Sequence, residues 1–239
     1  MNFGIIAAGN GSRLQEEGMS LPKPLVEIGG RPMIGRLIDI FRRCGAEKIS
    51  IIVNREMPEV ADYLESLKKT PGLRLEVLVK STPSSMHSMF ELMKMMKNDG
   101  KFIVTTVDTI FREESFKSYV DAFSKCDDAL DGMMAVTAFV EDEKPLWVKT
   151  DRDDMITAFL DKREEVVKYV SGGIYGLTRS CVDVLDACMS EGVERMRNYQ
   201  RALIKNGKKL KAYEMAKILD VDHLSDLEYA RKYVAEENL

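Results

Sequence analysis

The chain has 239 residues, of which 45% are hydrophobic and 31% charged, and its 35 lysine and arginine residues against 39 aspartate and glutamate residues give a net charge of −4. A chain of this length buries a substantial core as one large domain or two small ones. Its ordinary composition excludes a disordered, collagen-like or low-complexity protein. The small negative charge argues against a dedicated binder of nucleic acid or anionic membranes, although it leaves room for a local basic pocket that holds one phosphorylated ligand.

The sequence shows neither a targeting or membrane-spanning segment nor the cysteine and histidine pattern of a structural zinc site. No apolar stretch reaches the ~20 residues needed to cross a bilayer, and the N-terminus lacks the basic segment of a signal peptide. The four cysteines form no CxxC pair and there are only two histidines, so a structural zinc site is not expected. We therefore predict a cytoplasmic protein with free thiols and with neither nucleic-acid nor membrane partners.

Short β-rich runs alternate with helical stretches over the first half of the chain. The pattern predicts strands at residues 3–8, 48–53, 73–79 and 101–107, and helices at residues 32–44, 59–69 and 85–97. Such alternation is typical of a mostly parallel sheet covered by helices on both faces. Ligands bind to such sheets beyond the carboxyl ends of the strands, and the first strand here runs into a glycine loop at that point.

The spacing of the predicted elements changes after about residue 130. Strands are predicted at residues 132–140, 146–150, 155–160, 169–177, 210–213 and 218–221, and helices at residues 181–190, 195–205 and from Ser225. We interpret the closely spaced strands as a mixed or antiparallel extension of the sheet that forms a second wall of the cleft. No repeat or linker interrupts the chain, so the prediction is a single α/β domain with a Rossmann-like mixed β-sheet flanked by helices.

The N-terminal loop, IIAAGNGSRL followed by LPKPL, is the most informative stretch. A buried strand that ends in Gly-x-Gly presents backbone N–H groups without side-chain obstruction, which makes an anion-binding concavity. Arg13 could then bind phosphate oxygens with two donors, and Lys23 could bring a compact positive charge to the same place. The loop is not a dinucleotide fingerprint, because Leu14 stands where the third glycine belongs, and no Gly-Lys-Ser/Thr of a Walker A loop follows.

The combination of AAGNGSRL with PKPLVEIGGRPMI resembles the opening of the sugar-1-phosphate nucleotidylyltransferases, also called NDP-sugar pyrophosphorylases. The resemblance implies their nucleotide-diphospho-sugar transferase fold, which is GT-A-like. In that family the glycine loop and its arginine hold a nucleoside triphosphate, and the lysine of the PK pair contacts its phosphates. The matching nucleotide-binding residues here are Ala8, Gly9, Gly11, Ser12, Arg13 and Lys23.

The segment STPSSMHS precedes the predicted fourth strand, where the family places a small-residue loop that contacts base and ribose. Ser84 and Ser85 are the candidates for this contact, with Ser88 beside them. The family usually carries glycine and alanine here, and a plain capped helix start explains the serines equally well.

Two aspartates are candidates for a magnesium site. Asp108 ends the predicted strand FIVTTVD, where a carboxylate at the carboxyl end of a central strand is well placed to bind Mg²⁺, and the family carries a magnesium-binding aspartate at this point. Asp220 in KILDVDHLSDLEYA resembles the second aspartate of the family, although His223 replaces its usual threonine. Asp222 is a competing ligand, and helix capping by Asp222 or Ser225 is the structural alternative.

Two segments of the second half resemble the acceptor site of the family. ITAFLDKR resembles a strand that ends in FxEKP, so Lys162 matches the lysine that contacts the sugar phosphate and Asp161 takes the place of glutamate. SGGIY resembles an N-x-G-x-Y strand beside the sugar, with Gly172 and Gly173 leaving room for a ring to approach the backbone. Ser171 replaces the asparagine of the family, which leaves the identity of the sugar undecided.

The reaction that the resemblance implies is transfer of a nucleotidyl group from an NTP to a sugar-1-phosphate with release of pyrophosphate. Residues 1–130 would bind the nucleotide and residues 131–239 the acceptor, with Mg²⁺ on Asp108 and Asp220 and with Arg13, Lys23 and Lys162 as catalytic residues. One alternative is a related enzyme with a non-sugar acceptor such as phosphocholine, a polyol phosphate or a cofactor precursor. Another is a non-catalytic nucleotide-binding relative. A homo-oligomer is left open, and no appended acyltransferase domain is expected.

Overall fold

The computed structural model describes residues 1–96, 100–140 and 143–237, with the side chain of residue 237 excepted. The predicted end of the 85–97 helix and part of the loop before residue 146 fall outside the described residues. The elements in chain order are β1 (Asn2–Ala7), α1 (Ser12–Glu16), β2 (Glu27–Ile28), β3 (Arg31–Pro32), α2 (Met33–Arg43), β4 (Ile49–Val53), α3 (Pro58–Leu67), β5 (Leu75–Val79), α4 (Ser85–Met95), β6 (Lys101–Thr106), β7 (Thr109–Ile110), α5 (Glu113–Lys125), β8 (Gly132–Thr137), β9 (Trp147–Thr150), β10 (Ile156–Leu160), β11 (Tyr169–Thr178), α6 (Arg179–Ser190), α7 (Met196–Lys205), β12 (Leu210–Glu214), β13 (Leu219–Asp220) and α8 (Leu224–Glu237).

One mixed sheet of nine strands runs through both halves of the described chain. Strands β5, β4, β1 and β6 lie side by side and parallel. Strand β11 then pairs antiparallel with β6, β8 and β9, while β10 extends the sheet beyond β9 and β12 pairs parallel with β8. This architecture confirms the predicted mixed α/β sheet with an antiparallel extension.

The central strands are buried on both faces, which explains their continuous apolar sequences. Phe3 and Ile5 of β1 pack on one face against α2, α3 and α5. Ile6 points to the opposite face, where α4, α6 and α7 cover the sheet, because successive side chains of a strand alternate between its faces. The sheet therefore lies between two helical layers and exposes mainly the ends of its strands.

Helix α5 was not predicted, although its sequence carries a helical pattern. Phe116, Tyr119, Val120 and Phe123 follow the i, i+3, i+4, i+7 spacing of a buried helix face. The first turn carries acidic residues, as expected near the positive end of a helix dipole. Polar residues between these positions lower the average hydrophobicity of the segment, so the periodicity is the signal that identifies the helix.

All four cysteines are free thiols in the structure. Burial raises the pKa of Cys44 and of Cys181 to about 11, so both thiols stay protonated at neutral pH. Among the described residues, no helix is both long enough and apolar enough to cross a membrane.

Replacing Phe116 by alanine tests how α5 is held to the sheet. The Phe116 ring is fully buried and stacks on Phe111 and Phe41 at centroid distances of 4.8 and 5.2 Å. We expect Phe116→Ala to lower the free energy of unfolding in urea by about 3–5 kcal/mol. The control is Phe90→Ala on α4, which removes a ring that is only partly buried. Equal losses for the two variants would contradict the role given to the aromatic stack.

Candidate active site

The candidate site lies where the carboxyl ends of β1 and β6 meet. These strands are parallel neighbours, so the glycine loop after β1 and Asp108 after β6 leave the sheet at the same edge. The short strand β13 pairs antiparallel with β7 and places Asp220 opposite Thr109. A segment from the far end of the chain is therefore brought back to the loop that follows β6.

Three carboxylates converge at this edge. Asp108, Asp220 and Asp222 each offer one carboxylate oxygen, and these oxygens all lie within 4.8 Å of one another. Lys23, only 8% exposed, donates from Nζ to Asp108 Oδ2 at 2.6 Å and to Asp222 Oδ1 at 2.7 Å. The guanidinium of Arg13 donates to the other oxygen of Asp222. Two cations thus offset part of the repulsion among the three anions.

The ion pairs keep these groups charged. Burial alone would lower the pKa of Lys23, but the carboxylates of Asp108, Asp220 and Asp222 outweigh it and raise that pKa above its ordinary value. Burial would raise the pKa of Asp108, but the Lys23 ammonium outweighs it and lowers that pKa. Lys23 therefore acts as a fixed positive charge rather than as a proton acceptor.

The donor set suits a hard divalent cation, because Mg²⁺ and related ions prefer carboxylate oxygens. The structure places both Asp220 and Asp222 beside Asp108, so the two sequence candidates belong to one cluster. Helix α8 is capped by other residues. Asp226 accepts the backbone N–H groups of Asp222 and His223, and Glu17 accepts that of Leu224. Among the described residues, the hydrogen bonds at the start of α8 come from Asp226 and Glu17 rather than from Asp222 or Ser225, while the Asp222 carboxylate faces the cluster.

Two cavities meet at the cluster. The first, here called the glycine-loop cavity, has a volume of about 420 Å³ and lies between the loop after β1, the start of α4 and the end of β6. The second, here called the β11 cavity, has a volume of about 370 Å³ and lies between β11, β13 and the start of α8. Arg13, Thr106 and Asp222 line both cavities.

Every residue predicted to bind nucleotide lines the glycine-loop cavity, namely Ala8, Gly9, Gly11, Ser12, Arg13, Lys23, Ser84 and Ser85. Gly11 has a φ of +63°, and a Cβ there would lie 2.9 Å from Cβ of Lys23, so both the turn and the buried lysine require glycine. Ser84 precedes α4 but makes no side-chain cap bond, and its hydroxyl pairs instead with Nδ1 of His87 at 2.9 Å. Nucleotide contact by the serines stays a prediction.

Gly172 and Gly173 line the β11 cavity at a bulge in β11, and both positions are crowded by neighbouring side chains. A Cβ on Gly172 would lie 2.2 Å from Ile218, and one on Gly173 would lie 2.7 Å from the Thr109 hydroxyl. Gly173 also has a φ of +69°, which strains any other residue. The bulge and its neighbours therefore give both glycines a structural reason of their own, and their contact with an acceptor stays a prediction.

Asp161 and Lys162 are not brought into the cavities. Both are exposed in the segment after β10, and neither lines the glycine-loop or the β11 cavity. Asp161 accepts from Arg197 at 2.8 Å and pairs with Arg201 at 2.7 Å. These hydrogen bonds lower the pKa of Asp161, and the bond from Arg201 has the larger effect. Their role at the acceptor stays a prediction.

Sequence reasoning missed several residues of the site. Thr106 bonds to Thr109 at 2.7 Å, lines both cavities and supports the Asp108 carboxylate. The polar TTVDT end of an otherwise apolar strand was the signal for it. Phe139 and Tyr229 line the β11 cavity, with their rings 6.0 Å apart, and no sequence motif connects these two positions.

Comparison with known proteins agrees with this geometry. The family model of the MobA-like NTP transferase domain matches residues 4–205. The chain belongs to this family. The family resemblance inferred from the N-terminal loop is thereby confirmed.

Curated relatives are similar to the chain over about three quarters of its length. The mannose-1-phosphate guanyltransferase of Candida albicans is 30% identical over 187 residues, which are 76% of this chain and 51% of that protein. The enzyme of the same description from Saccharomyces cerevisiae is 28% identical over 189 residues, again 76% and 51%. The chain thus spans about half the length of the curated relatives it matches.

Two solved structures share the fold. An inositol-1-phosphate CTP transferase from T. maritima has a TM-score of 0.81 at 18% identity and covers 99% of this chain and 95% of its own. A putative glucose-1-phosphate thymidylyltransferase from Bacillus anthracis has a TM-score of 0.82 at 21% identity and covers 98% and 94%. At these identities the likeness establishes the fold alone.

Alanine substitution separates backbone strain from crowding at Gly173. Gly192 has the same φ of +69° but nothing within 4 Å of an added Cβ, so Gly192→Ala should cost only the strain, about 1–2 kcal/mol of unfolding free energy. Gly173→Ala should cost about 1–3 kcal/mol more, because the methyl group meets the threonine hydroxyls. Urea denaturation measures both losses. Equal losses would mean that the threonines yield and that the space beside Gly173 is open.

Proposed function

We propose that the protein transfers a nucleotidyl group from a nucleoside triphosphate to a sugar-1-phosphate and releases pyrophosphate. The observation that carries the proposal is the meeting of two cavities at one charged cluster, where Asp222 and Arg13 line both. A reaction between two phosphorylated substrates needs such a junction, because their reacting groups must be held in line and their negative charges offset. Membership of the MobA-like NTP transferase family supports the same reaction class.

The two halves of the chain would divide the substrates between them. The glycine-loop cavity is lined by residues of the first 130 positions together with Asp222, which fits a nucleotide site. Most of the lining of the β11 cavity comes from residues after position 136, which fits an acceptor site. We keep the proposed boundary near residue 130 for the binding roles, although one sheet joins the halves.

The chemistry needs charge stabilisation more than proton transfer. The attacking group is a phosphate oxygen that is already ionised at neutral pH, so the displacement at the α-phosphate requires no general base. Arg13 and Lys23 bring positive charge to the junction, and they would stabilise the charge that develops on the pyrophosphate leaving group. Backbone N–H groups of the glycine loop would hold the same phosphates.

Asp108, Asp220 and Asp222 would hold a divalent metal ion, and Mg²⁺ is the proposed ion because the donors are all carboxylate oxygens. When bound, such an ion supplies positive charge between the two phosphorylated substrates. Without it, three carboxylates face a triphosphate, and both neighbouring cations are already engaged by Asp222 and Asp108. The protein residues thus fit the metal-dependent form of the reaction.

The acceptor is the less defined substrate. The curated relatives act on mannose-1-phosphate by their names, and a sugar-1-phosphate is therefore the first candidate. One observation favours a non-sugar phosphorylated acceptor as the second candidate. Ser171 stands in the place of an asparagine, and its hydroxyl is bonded to Gln200 Oε1 at 3.2 Å, while Phe139, Val140 and Tyr229 give the β11 cavity an apolar portion.

A substrate panel tests the proposal directly. ATP, CTP, GTP, UTP and dTTP are each combined with mannose-1-phosphate, glucose-1-phosphate, inositol-1-phosphate and phosphocholine, and pyrophosphate release is measured with Mg²⁺ and with EDTA. We expect turnover for one nucleotide with a sugar-1-phosphate, and none in EDTA. Turnover with phosphocholine alone would favour the second candidate, and nucleotide binding without turnover on any acceptor would contradict the enzyme.

Charge-neutral variants of the cluster test the metal assignment. Asp108→Asn and Asp222→Asn should each lower turnover by about 100-fold or more, because each removes a carboxylate that offsets or coordinates positive charge at the reacting phosphates. Asp183→Asn, on the exposed surface of α6, makes the same change far from the cavities and should keep full activity. Full activity of either cluster variant with an unchanged Mg²⁺ requirement would show that the metal is held elsewhere.

Alanine variants of Lys23 and Lys162 test whether the two lysines serve different substrates. Lys23→Ala should weaken NTP binding in calorimetry, because this side chain lies in the glycine-loop cavity. Lys162→Ala should raise the KM for the acceptor and leave NTP affinity unchanged. If Lys162→Ala changes neither the KM for the acceptor nor the NTP affinity, Lys162 is not part of the acceptor site.

A further inference from the structure

A buried asparagine ties together three loops beside the glycine-loop cavity. Asn54 follows β4 and is only 2% exposed. Its Nδ2 donates to Asn10 Oδ1 at 2.6 Å, and its Oδ1 accepts from Ser81 Oγ at 2.6 Å and from the backbone N–H of Glu56 at 3.0 Å. Asn54 thus connects the glycine loop after β1 with the segments that follow β4 and β5.

This network fixes the orientation of two amide groups. The backbone N–H of Glu56 can only donate, so the atom of Asn54 that faces it must be the oxygen. The other atom of the Asn54 amide is then the NH₂ group, and the atom of Asn10 that receives its hydrogen bond must be an oxygen. The Asn10 side chain is left with its own NH₂ group as its other polar end, and no hydrogen bond within the described residues takes up that group.

The position of Asn10 determines which part of a nucleotide it can meet. Asn10 lines the glycine-loop cavity. Its side chain is bonded toward β4, whereas Asp108 follows β6 on the other side of β1. The charged cluster that would receive the phosphates therefore lies on one side of the loop and the Asn10 amide on the other. A nucleotide with its phosphates at the cluster would bring its nucleoside toward Asn10.

We propose that Asn54 is a positioning residue that holds the Asn10 amide with its NH₂ group toward the nucleoside, so that the site selects nucleotides that offer a hydrogen-bond acceptor there. The acceptor is a base carbonyl, a ring nitrogen or a ribose oxygen. The proposal rests on the nucleotide site of the proposed function and adds a fixed polarity to one of its walls. A fixed donor discriminates strongly, because a nucleoside that presents a donor instead leaves two unpaired polar groups in contact.

The substitution Asn54→Asp reverses the polarity. A carboxylate keeps the bonds from Glu56 and Ser81 on one oxygen, but its other oxygen can only accept. Asn10 must then rotate its amide to donate to that oxygen, and its own carbonyl oxygen takes the place of the NH₂ group at the cavity. We expect about tenfold weaker binding of the nucleotide, the loss of one hydrogen bond, with a melting temperature near that of the wild type.

A double-variant cycle separates this relay from other effects of the substitution. Wild type, Asn54→Asp, Asn10→Ala and the double variant are titrated by calorimetry with Mg²⁺ and whichever of ATP, CTP, GTP, UTP and dTTP binds the wild type most tightly. If Asn54 acts through Asn10, each single variant loses about tenfold and the double variant loses no more than Asn10→Ala alone. Losses that multiply in the double variant would overturn the proposal.

Two controls address the added negative charge. Inorganic triphosphate carries the phosphates without a nucleoside, so its affinity should be the same for wild type and Asn54→Asp, and an equal loss for both ligands would overturn the proposal. Asn206→Asp makes the same substitution at the end of α7, where the side chain donates to the backbone carbonyl of Ala202 in its own helix, and should bind nucleotide normally. If the wild type binds none of the five nucleotides, the proposed function itself is refuted. This result differs from the one that overturns only the role of Asn54, in which the affinity losses of the two single variants multiply in the double variant.

Discussion

The ammonium of Lys23 is the charge on which the rest of the site depends. It joins Asp108 and Asp222, which are 85 and 199 residues distant in sequence. Burying a lysine is costly unless carboxylates surround it, and the cluster of three aspartates would repel itself without a cation. Lys23 and the aspartates therefore each lower the free-energy cost of burying the other. Because these residues come from the segment after α1, from the end of β6 and from the loop before α8, the ion pairs also hold together the segments that form the cavities.

The register of β11 explains why a second cavity exists beside the first. Ile174 of β11 pairs with Thr105 near the end of β6, so the residues of β11 before Ile174 extend past the carboxyl end of its neighbour. They pair there with β8 and β9 and form a wall above the edge where Asp108 leaves the sheet. The bulge at Gly173 turns this wall, and its positive φ is tolerated because no side chain has to fit between the threonines. An antiparallel strand beside a parallel sheet thus converts an open edge into two adjoining cavities.

Local patterns were enough to predict many of the residues that line the glycine-loop cavity, because a large part of its lining comes from one continuous loop. Gly9, Gly11 and Arg13 follow a buried strand directly, and their neighbours in sequence are also their neighbours in space. Asp108 was predictable for the same reason, as a polar residue that ends an apolar strand. The other half depends on pairings between distant segments. Spacing could not decide whether Asp220 or Asp222 joined Asp108. The register of β13 against β7 fixes Asp220, and the loop after β13 brings Asp222 to the same cluster.

The acceptor roles predicted for Gly173 and Lys162 are both untested for the same physical reason. A motif reports which residue type stands at a position, but the same residue type can satisfy different constraints. Glycine at position 173 answers a positive φ and two crowding hydroxyls, and it gives no evidence of a free space. Lysine at position 162 follows a strand whose neighbouring Asp161 is already neutralised by Arg197 and Arg201 of α7, so the charge balance of that surface does not require Lys162. Lys23, by contrast, is buried among carboxylates whose negative charge it offsets, so its position in the cluster is determined by its neighbours. Residues whose role is demanded by their neighbours can be assigned from the structure, whereas residues that are merely accessible need a bound substrate to define them.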